Sequence, residues 1–311
     1  MPRRRWITAL CLLSCREPAA VWTSAPALGH ARAAHAVVAT DDEILVFAGT
    51  GVGGAPVLQV ERFDGAGWTD VASLPGAGLN APAAAVVDER VYLIGGFNLD
   101  TNVPSDRVHV YTVATGAWTE AAPLPAPRGG HAAVVFDRTR IHVLGGGNDR
   151  STIADHSVYD PQLNTWTARA PLPRAEGSPA AVVFDGKIYA IGGRSGPADF
   201  GAVDIYDPTT DTWTAGPAIS PRGTAGAAIH CGAIHLFGGE SQATSTSLDE
   251  VLRLADGVWR TAPAMPTARN FARAVTLRGA VYVVGGSQTP EPGHAAEGGA
   301  TVERYQAPCA G

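Results

Sequence analysis

An apolar strand ending in a glycine pair recurs along this chain, and no other feature narrows the possible fold so far. It reads VYLIGG from Val91 to Gly96, IHVLGG from Ile141 to Gly146, IYAIGG from Ile188 to Gly193, IHLFGG from Ile234 to Gly239 and VYVVGG from Val281 to Gly286. ILVFAG, Ile44 to Gly49, is a sixth copy with Ala48 for the first glycine. Trp68, Trp118, Trp166, Trp213 and Trp259 keep step at intervals of 50, 48, 47 and 46 residues. A steady period of this length marks stacked supersecondary units, none of which can bury its own faces alone.

Each copy reads as four strands. Ser178 to Gly193 is an apolar strand, an Asp185-Gly186 turn and a second apolar strand; Asp-Gly between such runs signals a hairpin whose turn positions take positive φ. A third strand follows a variable loop at Ala202 to Pro208, and a fourth runs from Thr212 to Pro217. Apolar runs in the first two strands and alternation in the last two suggest inner strands covered on both faces and outer strands half exposed. Six such sheets stacked radially make an all-β, six-bladed β-propeller of four antiparallel strands per blade, over residues 20–307 with a short tail at 308–311. Rings such as Tyr159 and Trp166 are expected to fill the wedge between blades. The sixth copy stops after its third strand, Thr301 to Ala307, while the segment Ala20 to Pro26 is an orphan Trp strand. Trp22 is therefore expected to complete blade six from the N-terminal side and so remove two exposed edges.

The glycine pair, the Tyr followed by Trp and the Leu-Pro endings at Pro123 to Pro125 and Pro171 to Pro173 resemble the repeats of the kelch family over nearly the whole chain. The first and fifth copies depart from that pattern with shorter outer turns, Arg62 to Trp68 and Leu254 to Trp259, where Phe63 or Leu254 replaces the Tyr. The resemblance implies binding by the loops on one face of the propeller. It also implies two possible roles for the arginine at the turn before the inner strand: holding acidic ligands, or bracing loop carbonyls between blades.

Bulk properties narrow the partners. The chain is 45% hydrophobic and 17% charged with a net charge of −6, which argues against nucleic acid as a partner. Residues 1–19 stand apart: Arg3, Arg4 and Arg5 precede an apolar run from Trp6 to Leu13, the order of a signal peptide, and Leu12 to Cys15 resembles a bacterial lipobox with Cys15 as the acylated residue. An exported bacterial protein, secreted, periplasmic or tethered to a membrane through Cys15, is the expectation; a disordered start on a cytoplasmic protein is the alternative. Cys231 and Cys309 belong to no CxxC or Cys/His cluster in sequence, so no metal is expected. Nothing in sequence fixes the separation of these two cysteines, and a disulfide between them is not the expected state.

Loop chemistry supplies the candidate site. Aligned on the glycine pairs, Arg32, Arg128, Arg222 and Arg269 occupy one equivalent position, with Leu79 and Glu176 in its place in the second and fourth copies. Four guanidinium groups near one mouth suit a carboxylate, phosphate or acidic peptide. His35 and His131 follow Arg32 and Arg128 by three residues as candidate channel residues. The longest loops carry Asp100, Asp106, Asp149, Arg150, Asp155, His156, Glu291, His294 and Glu297, residue types that polar loops hold in any case. The ligand sets of the kelch metal enzymes find no match here, and no GxSxG or phosphate loop is present. The leading expectation is a monomeric, non-catalytic scaffold without cofactor, binding a protein, peptide or carbohydrate. The alternative is an enzyme resembling sialic acid mutarotase, with Glu176 and Arg128 as weak catalytic candidates.

Overall fold

In the computed structural model, residues 20–290 and 298–309 are described. The expected signal segment with Cys15 lies outside them, as do Glu291, His294 and Glu297.

The pleat alternates, so each blade can pack both faces once it has neighbours. Six four-stranded antiparallel sheets form. Blade one comprises Ala36–Ala39, Ile44–Phe47, Gln59–Phe63 and Trp68–Ser73; blade two Ala83–Val87, Arg90–Ile94, Val108–Thr112 and Ala117–Glu120; blade three Ala132–Phe136, Arg140–Leu144, His156–Asp160 and Thr165–Ala168. Blade four comprises Ala180–Phe184, Lys187–Ile191, Val203–Asp207 and Thr212–Ala215, and blade five Gly226–His230, Ala233–Phe237, Val251–Ala255 and Val258–Ala262. Blade six takes Arg273–Leu277, Ala280–Val284 and Val302–Gln306 from one end of the chain and Val21–Ser24 from the other. Trp22 stands opposite Tyr305 in the closing pair, so the ring is shut by strand pairing as the repeats require.

The spacing of Tyr and Trp follows from this register. Tyr111 faces Trp118, Tyr159 faces Trp166 and Tyr206 faces Trp213 across a hairpin of the two outer strands. Their centroids lie 5.1, 4.9 and 5.0 Å apart. The shorter turns of blades one and five preserve the opposition, Phe63 to Trp68 and Leu254 to Trp259, because each strand gives up one residue. Every junction between blades carries its own apolar cluster. Phe47, Leu93 and Tyr111 fill the one between blades one and two, and Ile44, Phe63 and Tyr282 the one between six and one.

The indole nitrogens add a directional tie that the apolar pattern does not reveal. Trp166 donates to the Ala122 carbonyl at 2.9 Å, Trp213 to Ala170 at 2.8 Å, Trp259 to Pro217 at 2.8 Å, Trp68 to Pro26 at 2.8 Å and Trp22 to Pro263 at 2.9 Å. Each acceptor belongs to the tail of the preceding blade. In blades three and four the tie is doubled. Asn164 Oδ1 accepts from the Ala122 amide and the Tyr159 hydroxyl, and Asp211 Oδ1 accepts from the Ala170 amide and the Tyr206 hydroxyl. Trp118 Nε1 is buried without a partner among the described residues.

Cys231, at the inner hairpin turn of blade five, is bonded to Cys309 after the third strand of blade six. This corrects the expectation from sequence. The pairing of Val302–Gln306 within blade six carries the chain back to blade five, where the Ala307 amide donates to His230 Nε2 at 3.0 Å and sets the two sulfurs together.

Replacing Trp166, Trp213 or Trp259 singly by Phe keeps most of the apolar contact and removes one hydrogen bond, and is expected to cost about 1 kcal/mol each. Trp118→Phe, which loses no bond and relieves a buried donor, is expected to be neutral or slightly stabilising. Midpoints of urea unfolding check the contrast; equal losses at all four positions would contradict it.

Candidate functional site

The loop face is organised by the glycine pairs. The second glycine of each pair donates its amide to a carbonyl of the next blade: Gly49 to Leu79, Gly96 to Arg128, Gly146 to Glu176, Gly193 to Arg222, Gly239 to Arg269 and Gly286 to Arg32, all at 2.9 to 3.0 Å. The first glycine lies against that same carbonyl. A Cβ on Gly95 would sit 2.4 Å from the Arg128 oxygen, and one on Gly285 2.6 Å from the Arg32 oxygen. At the junction of blades one and two the first position is Ala48 and the facing residue is Leu79, so the two departures from the repeat meet at one contact.

The aligned arginines act from this position. Arg32, Arg128, Arg222 and Arg269 are each 0 to 2% exposed, enclosed beneath the loops of the face. Each donates to the carbonyl of the first residue of its own blade's pair, Ala48, Gly145, Gly238 and Gly285 respectively. Each also pairs with an acid from the segment entering its own third strand. Arg32 meets Glu61 at 2.6 Å, Arg269 meets Glu303 at 2.6 Å, Arg128 meets Asp155 at 3.1 Å and Arg222 meets Glu250. Glu61 and Glu303 are buried with their partners, whereas Asp155 and Glu250 reach solvent. The structure thus distributes the four guanidinium groups over four blades instead of gathering them at one point.

Blade four shows why Glu176 interrupts the row. A carboxylate there would face Asp204, the acid of its own third strand, and Arg174 from two residues earlier pairs with both. Glu176 is 1% exposed, and burial first, then the charge of Asp204, pushes its pKa up to about 8 despite Arg174. At neutral pH it is held as an enclosed carboxylic acid.

His35 and His131 are buried, with neither ring nitrogen of either residue hydrogen bonded to a side chain or loop partner. Burial and nearby arginines hold His131 down at about 3 and His35 well below the usual range, so both are neutral at physiological pH. His156 is also buried, 2.9 Å from His142 in the junction of blades three and four, and belongs to the packing there. Asp149 and Arg150 form an exposed pair at 3.9 Å. Around the disulfide, His230, Cys231 and Cys309 place ligand atoms within 4.8 Å, but the sulfurs are bonded to each other and present no thiolate to a metal.

Inside the arginine positions lies a narrower ring. Ala34, Ala81, Ser178, Thr224 and Phe271 all adopt φ between 49 and 59°, with Gly130 at 62°. Their amides and carbonyls link blade to blade: Ala81 to Ala34, Gly130 to Ala81, Ser178 to Gly130, Thr224 to Ser178 and Phe271 to Thr224, at 2.6 to 3.2 Å. Phe271 is the one large member. It clusters with Ala33 and Ala34 of blade one and Ala81 of blade two, and the Arg194 guanidinium of blade four lies 5.3 Å from its ring centre. A side chain from blade six that touches blades one, two and four lies across the channel mouth. Arg194 pairs with Glu240, which also accepts from Asn270 at 3.1 Å.

Beside Phe271 an open cavity of about 350 Å³ spans blades three, four and five, lined by Gly129, Gly147, Thr152, Ser178, Arg194 and Gln242. Sequence alignment on the arginines passed over it, because its walls are glycines and small polar residues from three different copies. Arg194, directly after a glycine pair, was the one available signal.

Comparison with known proteins agrees with this architecture. The profile of the KLHDC2/KLHL20/DRC7 Kelch-repeats domain matches residues 12–171 and 81–286. Mouse Kelch-like protein 40 is 27% identical over 203 residues, 65% of this chain and 25% of the relative. N-acetylneuraminate epimerase of Pasteurella multocida is 30% identical over 103 residues, 32% of this chain and 27% of the relative. The chain thus spans about a quarter of the length of these curated relatives. The solved structure of YjhT superposes with a TM-score of 0.76 at 16% identity, covering 90% of this chain and 95% of that one.

Removing one partner of a buried pair leaves the other charge uncompensated. Arg269→Met is therefore expected to cost about 3–5 kcal/mol, and Arg269→Met with Glu303→Leu to recover most of it. Arg128→Met, whose Asp155 can turn to water, is expected to cost less. Equilibrium unfolding of the three variants checks this order.

The pH profile has a sign on each side. Glu176 keeps its proton to about pH 8 when folded but only to about 4.5 when unfolded, so the native state holds the extra proton between those values and stability falls as pH rises through that window. His131, His142, His156 and His235 titrate at about 3 to 4 in the fold against 6.5 unfolded, so stability falls as pH drops below 6.5. Stability is expected to peak near neutrality, and Glu176→Gln to flatten the alkaline decline between 6.5 and 8 and to steepen the acid limb between 4.5 and 6.5, where the extra proton on Glu176 otherwise offsets part of the histidine contribution. Thermal unfolding across pH measures both limbs.

Proposed function

The chain belongs to the kelch-repeat family, and on that premise we propose that it is a non-catalytic interaction scaffold holding a segment of a protein partner against the loop face between blades three, four and five. The observation that carries this reading is the cavity beside Phe271. Its glycine walls let another backbone approach closely. Thr152, Ser178 and Gln242 offer donors and acceptors for that backbone, and the positive charge of Arg194 is already balanced by Glu240. Such a surface suits an uncharged, extended peptide better than an acidic one. In this reading the four aligned arginines serve the site indirectly, fixing the loops from which its walls are built.

A second reading, a sugar mutarotase or epimerase, draws support from the similarity to N-acetylneuraminate epimerase. Its acid would be Glu176 and its carboxylate clamp Arg128, both enclosed in the described structure. That enclosure is why the scaffold stands first.

A displayed library of random peptides, panned against the protein, tests the first reading. Selected peptides are expected to bind at micromolar affinity, to lose binding at least tenfold in Ser178→Trp, and to be indifferent to Leu163→Ala on the exposed rim. Peptides unaffected by Ser178→Trp would overturn the placement. NMR of anomer exchange with N-acetylneuraminate, in the native chain and in Arg128→Ala and Glu176→Ala, tests the second; exchange that depends on both residues would replace the scaffold reading with the enzyme.

A further inference from the structure

We propose that the central channel, just beneath Phe271, is a receptor for a small free oxyanion, a carboxylate of formate or acetate size, held by the Arg273 guanidinium with His131 beside it. The inner strands of blades one to five open on Ala36, Ala83, Ala132, Ala180 and Gly226; the equivalent residue of blade six is Arg273. Four alanines and a glycine leave a space of about 130 Å³ on the axis, and Arg273 is the cation that lines it. In volume this is about four liquid waters, room for an anion of a few heavy atoms.

The site is built but uncompensated. Arg32, Arg128, Arg222 and Arg269 each own an acid, yet the Arg273 side chain makes no hydrogen bond or ion pair among the described residues. Arg273 is half-buried, and the surrounding protein lowers its pKa to about 10, with no carboxylate acting on it. His131 is 3% exposed and lines the same space, its ring lying against the Ile94–Gly95 backbone of blade two. The charge of Arg273 is felt by both His131 and His35. A guanidinium offers a planar fork of donors. A planar oxyanion satisfies that fork, and it removes the cost of an unpaired enclosed charge.

The test follows thermal unfolding while formate, acetate, chloride and phosphate are titrated at constant ionic strength. Formate and acetate are expected to raise Tm by on the order of 3 °C for each tenfold increase above the dissociation constant. Phosphate is expected to raise Tm less than formate at equal concentration, because its second negative charge enters a site with a single guanidinium. Arg273→Met is expected to unfold at a higher temperature than the native chain in anion-poor buffer and to ignore formate, while Arg278→Met, at the exposed end of the inner hairpin of blade six, keeps the full response. Equal responses in the native chain and Arg273→Met, or no response to either carboxylate, would overturn the proposal; chloride matching formate would overturn the oxyanion chemistry. Line broadening of ¹³C-formate by the native protein, relieved by acetate, reads the site without any variant, and its absence at millimolar formate counts against the site directly.

Discussion

A hydrogen bond from one glycine amide to a carbonyl of the next blade is what turns six separate sheets into a ring. It is made at all six junctions, and the last of them, Gly286 to Arg32, joins residues from opposite ends of the chain. Two adjacent left-handed residues are needed to aim that amide, φ 58 and 92° at Gly285 and Gly286. Four of the carbonyls so held belong to arginines whose side chains return to the first carbonyl of their own blade's pair. Backbone and side chain of one residue thus lock two blades and one loop together. The cost of enclosing a guanidinium is met by donors placed on carbonyls and an acid, which is why these arginines are among the largest fully buried side chains in the protein.

The repeat was legible because it reflects one local solution used six times. Strand positions, the Asp185-Gly186 turn, the role of Trp22 and the wedge-filling pairs all follow from period, pleat and the need to remove edges. The partners of the arginines were not legible, for a physical reason. Glu61 and Glu303 sit two residues further along the third strand than Asp155 and Glu250, and a guanidinium reaches either. No fixed spacing marks the pair. Glu176 looked like a lone functional residue for the same reason, although Arg174 and Asp204 complete a rearranged version of the same contact.

Arg273 and Phe271 illustrate the opposite case. Each stands in a column of otherwise small residues, so a comparison that seeks repetition treats them as noise. Their meaning appears only when six columns are bent into a circle and the odd residue in each is seen to fall on the axis, one across the mouth and one beneath it. A repeat protein keeps its fold in what its copies share and has its individuality where one copy departs.

The pairing of Val21 with Gln306 also has a mechanical meaning. The two strands run antiparallel, so the chain enters and leaves the ring at the same spot on its rim. Tension applied at those two points loads one hydrogen bond at a time, like opening a zip. One side of the zip is anchored, since the Cys231–Cys309 bond ties the outgoing segment to the neighbouring blade. The incoming ribbon, four residues held by that pairing and by Trp22, is the part that would peel, and a pull on its upstream end acts directly on the seam that closes the wheel.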